Sequence, residues 1–65
     1  MLSLSELLLE QGHKLTSFDD LKKTIQKQAI DTGELYFQVD IEPPVYSDRP
    51  NDWHDQLNLA FESAR

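Results

Sequence analysis

Residues 34–42 read Glu-Leu-Tyr-Phe-Gln-Val-Asp-Ile-Glu, and their unbroken alternation of polar and less polar side chains limits the fold more than any other feature. A period of two places Leu35, Phe37, Val39 and Ile41 on one face of an extended segment, with Tyr36, Gln38, Asp40 and Glu42 on the other. The segment therefore reads as a strand over residues 35–41. A strand presents N–H and C=O groups along both edges, and even an isolated pair of strands is marginal in water. The rest of the chain offers no obvious second strand. Pro43 and Pro44 lack the N–H a ladder needs and end the strand. They also disfavour a tight hairpin, whose two-residue turns use Asn-Gly or glycine-containing pairs, so Val45 and Tyr46 supply at most a very short return. The strand is expected either to pair with a second copy across a two-fold axis or to add to the sheet of another protein.

Helical signals flank this strand. Ser3-x-x-Glu6 has capping-box spacing, Leu4, Leu7 and Leu8 share a helical face, and Gly12 marks a stop, which predicts a helix over residues 4–11. Leu9 falls off that stripe. Thr16 and Ser17 each have an aspartate three residues on, giving alternative N-caps with negative charge at the positive end of the dipole. The helix that follows, over residues 18–31, carries Phe18, Leu21, Ile25 and Ala29 on one face and Lys22, Lys23 and Lys27 on others, and Gly33 can provide a left-handed stop. Residues 45–51, with Pro50, read as an extended linker. Asn51 or Asp52 then caps a last helix with the apolar stripe Trp53, Leu57, Ala60, Phe61 and Ala64. The fold class is α+β in the order helix, helix, strand, linker, helix. Residues 1–33 form a two-helix segment and residues 34–65 the strand, proline-containing linker and C-terminal helix, within one domain.

At 65 residues the chain buries only about 60% of the surface it would expose unfolded. Domains this small usually draw on disulfides, metals or partners. There is no cysteine, which leaves a partner or a second copy and points to a reducing compartment, the cytoplasm. Glu6 and Glu10 interrupt the N-terminal leucines and no basic region precedes them, so a signal peptide or membrane span is not expected.

The formal net charge of −6 is unevenly spread. Residues 1–33 hold five acids and four lysines, a balance of −1, whereas residues 34–65 hold seven acids against Arg49 and Arg65, a balance of −5. Such a surface repels phosphate backbones and steers basic proteins toward itself, so nucleic acid is not the expected partner.

Catalytic chemistry finds little footing. The two histidines, His13 and His54, have no serine or threonine placed to act as a nucleophile beside them. Asp52 and Asp55 sit where helix capping accounts for them. Asp52, His54 and Asp55 are too close in sequence to converge on one face as metal ligands. Gly12 and Gly33 are too few for a phosphate loop. No enzyme activity, metal or cofactor is expected.

Leu35, Phe37, Val39, Ile41, Trp53, Leu57 and Phe61 are the candidate partner-binding residues. The strand face would cover an apolar surface. The helix stripe would complete that core or dock in a second groove, with Trp53 as an anchor of the kind enriched in binding hot spots. In arrangement, the helix, acidic strand, linker and amphipathic helix of residues 18–65 resemble the toxin-wrapping arms of bacterial antitoxins of the RelB type, although the N-terminal DNA-binding strand of ribbon-helix-helix antitoxins is missing. That resemblance implies an inhibitor of a basic, ribonuclease-like protein. The alternatives are a homodimeric scaffolding domain, and a transcription regulator whose lysines face DNA or whose acidic half mimics it.

Overall fold

The helices form where the apolar periodicity places them. In the computed structural model, which describes residues 1–64, α1 spans Leu4–Gln11, α2 Phe18–Thr32 and α3 Trp53–Ser63, with a 3-10 turn over Gly12–Lys14. The stripe of Phe18, Leu21, Ile25 and Ala29 is buried against Leu57, Ala60 and Phe61 of α3, and Leu2, Leu4 and Leu7 join the same cluster. Full burial of a side chain such as Phe18 or Leu57 contributes about 1.5–3 kcal/mol, so this cluster is the main source of stability. Leu9 is 85% exposed, on the outer side of α1.

The ends of α2 follow the sequence closely. Ser17 is its N-cap, its hydroxyl accepting from the Asp20 N–H at 3.0 Å, and Asp20 in turn accepts from the Thr16 N–H and hydroxyl. Gly33 closes the helix in the left-handed region at φ 66° and donates its N–H to Ala29 O. A side chain there would be strained by backbone sterics alone. Gly12 ends α1 at the expected place, but not in the left-handed conformation of Gly33. It is right-handed at φ −57°, and the chain tightens into the 3-10 turn instead of reversing through a left-handed glycine.

The strand departs furthest from the sequence reading. Regular pairing is confined to β2, Phe37–Gln38, not residues 35–41, and its partner lies within the chain: β1, Leu2–Ser3, runs parallel to it in the register Leu2 to Phe37 and Ser3 to Gln38. The expectation of a strand without an internal partner is thereby corrected. Parallel strands need a long crossover, which α1 and α2 supply. A two-residue strand has no period to read, and it sits immediately before a helix signal, so the sequence hid it.

The segment after β2 is folded back rather than extended. Arg49 donates to Glu42 Oε2 and to Pro43 O, both at 2.9 Å, and its guanidinium lies 5.7 Å from the Trp53 ring centroid. Pro43 is fully buried, and Arg49 N–H donates to Tyr46 O. Among the described residues no helix is long and apolar enough to cross a membrane.

Candidate functional site

The parallel register decides which backbone groups of β2 remain available. Leu2 N–H donates to Tyr36 O at 2.9 Å, so the ladder returns from Gln38 N–H to the Leu2 carbonyl. Phe37, lying between them, directs its own N–H and C=O to the opposite edge. There they meet no backbone partner among the described residues. One edge of the short strand is thus closed by β1 and the other is open, the condition for adding a further strand.

The seven candidate binding residues separate into three groups. Leu57 and Phe61 are buried in the core and reach no partner in this conformation. Phe37, Val39 and Trp53 are half-buried against that core. Phe37 stacks on Phe61 with centroids 5.4 Å apart and planes 19° from parallel, while Trp53 meets the His54 ring edge-on at 5.9 Å. Leu35 and Ile41, 60% and 44% exposed, remain open to solvent, as do Tyr36 and Val45 on the same segment. The inward face of the alternation therefore covers the protein's own core in its middle and is exposed at its two ends. Leu35 also lines a shallow groove of about 360 Å³ with Ile30, Gly33 and Ala64, where α2 ends near the end of α3.

Two acidic residues over residues 34–50 have roles that neither the alternation nor the linker reading reveals. Asp40 accepts from the Ser5 N–H at 2.9 Å and from the Ser5 hydroxyl at 2.5 Å, at the start of α1. Asp48 accepts from the Phe18 N–H at 2.7 Å and the Asp19 N–H at 3.1 Å, at the start of α2. Together with Ser17, Asp48 satisfies three of the amides that a helix start leaves without partners. Asp40 takes the place expected of the capping box: the Ser3 hydroxyl makes no cap bond and is buried without a partner. Both carboxyls are held below the usual carboxylate range, Asp40 foremost by the Ser5 hydroxyl and Asp48 foremost by the Phe18 amide. Tyr46, close by, is pushed up by burial and by the negative charges of Asp20 and Asp48. No local signal marks these caps, because donor and acceptor lie about 30 residues apart or more.

Elsewhere, Lys14, Lys23 and Lys27 line a polar groove together with Asp20 and Asp31, and Lys23 is paired with Asp19 at 3.1 Å. His13 and His54 are exposed. Among the described residues no group of three or more His, Asp or Glu is arranged to hold a metal ion. No protein-family model matches the chain, and neither the search of curated proteins nor that of solved structures finds a match.

Proposed function

We propose that this protein is a small acidic binding module, acting by recognition and not by catalysis, that receives a strand of a basic protein along the open edge of β2. The observation that carries the reading is the Phe37 edge itself: N–H and C=O groups without a backbone partner among the described residues, flanked by exposed Leu35 and Ile41. Main-chain hydrogen bonds would give affinity, and the flanking apolar side chains would give register. The balance of −5 over residues 34–65 supports a basic partner, through steering and discrimination more than through raw affinity. Lack of cysteine supports the cytoplasm as the place of action. The most specific form of this proposal is an antitoxin-like inhibitor, with the acidic segment as the inhibitory element.

Burial of Leu57 and Phe61 reshapes the proposal, because the last helix is committed to the core and the binding elements become Leu35, Ile41 and the strand edge. The open edge equally favours a second reading, a homodimer in which two copies pair β2 with β2. Capture from native lysate on immobilised protein, followed by mass spectrometry, tests the first reading. A basic protein retained by the wild type and lost with Leu35→Asp and Ile41→Asp supports it. Retention that ignores both substitutions contradicts it. Concentration-dependent sedimentation of the protein alone, abolished by the same substitutions, would favour the dimer.

A further inference from the structure

We propose that residues 34–50 form a latched arm, clasped onto the starts of α1 and α2 by Asp40 and Asp48, which opens as a unit while the α2–α3 core stays packed. The two clasps are long-range and similarly built. Each carboxylate accepts two hydrogen bonds from the first turn of a helix in the other half of the chain, between residues 35 apart for Asp40 and 29–30 apart for Asp48. A carboxylate in that position also meets the positive end of the helix dipole.

What lies between the clasps is weakly held. None of the ten buried hydrophobic core residues comes from residues 34–50, and Pro43 is the arm's one fully buried side chain. Phe37, Val39 and Tyr46 only rest against the core. The remaining ties are the two-residue bridge to β1, the pair of half-buried Glu34 with the Met1 ammonium, and the Arg49 contacts, which are internal to the arm apart from Trp53. Few buried apolar contacts and exposed hydrogen bonds are the conditions under which a segment opens locally before the whole domain does. Opening would free both edges of β2, the Phe37 face and the side of Phe61 on which Phe37 stacks.

The charged surroundings set the direction of the pH response. Asp48 faces the Phe18 and Asp19 amides and attractive Lys22, with Tyr46 beside it; Asp40 faces the Ser5 amide and hydroxyl. Both carboxyls have folded-state values below the unfolded one. Their clasps are therefore complete above the ordinary carboxylate value of about 4 and weaken as pH falls through the lower folded-state values.

Amide hydrogen exchange by NMR on the full chain tests the latch, comparing the wild type with Asp40→Ala and Asp48→Ala at neutral pH. The expected result is exchange about tenfold faster or more at Leu2, Tyr46 and Arg49, whose N–H bonds hold or lie within the arm, with Ile25 and Leu57 amides unchanged. Asp48→Asn, which keeps one acceptor oxygen, should fall between Asp48→Ala and the wild type. Equal acceleration at all amides would show that arm and core open together, and no acceleration would show that the carboxylates do not hold the arm; either overturns the proposal.

Discussion

The α2–α3 interface and the arm over residues 34–50 are held together by different physics. In the interface, Phe18, Leu21, Ile25, Leu57 and Phe61 are buried to 2% exposure or less, so stability comes from apolar area removed from water. In the arm, the ties are two carboxylate clasps, a guanidinium bonded to Glu42 and the Pro43 carbonyl, and a two-residue strand bridge. Apolar burial is insensitive to pH and salt on the scale that matters here, whereas polar ties at or near the surface compete with water, and the two carboxylate clasps weaken as pH falls. One short chain thus contains a scaffold and a more easily displaced segment. The open strand edge and the exposed apolar residues Leu35, Tyr36, Ile41 and Val45 all lie on the second.

Substitutions on either side should expose that difference. Phe61→Ala removes a buried ring and the stack under Phe37, and should cost about 3–5 kcal/mol in urea unfolding, enough to threaten a domain of this size. Gly33→Ala, at the junction of the two regions, has open space around an added Cβ, so only the left-handed backbone resists it. A loss of about 1–2 kcal/mol by the same measurement is expected. Pro43→Ala removes the arm's one fully buried side chain and should cost about 1 kcal/mol, with the far-UV helix signal retained at neutral pH. Leu35→Asp, on an exposed side chain, should change stability by no more than about 0.5 kcal/mol while abolishing capture of a basic partner. If Pro43→Ala proved as damaging as Phe61→Ala, the division between scaffold and arm would fail.

The part of this architecture that was legible in the sequence is the part built from local periodicity. The stripe on α2 has three or more turns over which to repeat, the Ser17 cap reads its own helix three residues on, and Gly33 stops it, so all were visible. The arm's structure was not, because its determinants are distant in sequence. Leu2 and Ser3 pair with residues 35 positions away, and nothing in a dipeptide announces a strand. Asp40 read as an ordinary outward residue of an alternating strand, and Asp48 as part of a linker, yet each caps a helix in the opposite half. Ser3 illustrates the same limit from the other side: its spacing to Glu6 was right for a capping box, but pairing in β1 and the Asp40 carboxylate displaced it from that role. Of the candidate binding residues, Leu57 and Phe61 shared a helical stripe with Trp53, and periodicity alone could not separate a side chain fully inside the core from one lying half-exposed beside Arg49.

The central claim is that β2 is closed on one edge within its own chain and open on the other. The most direct test is to measure the temperature dependence of the Phe37 and Gln38 amide proton shifts in the free protein at several concentrations. A Gln38 amide that behaves as hydrogen-bonded beside a Phe37 amide that behaves as solvent-exposed, independent of concentration, is the predicted result. A Phe37 amide that is hydrogen-bonded, or becomes so as concentration rises, would contradict it and place a second copy on the edge described as free.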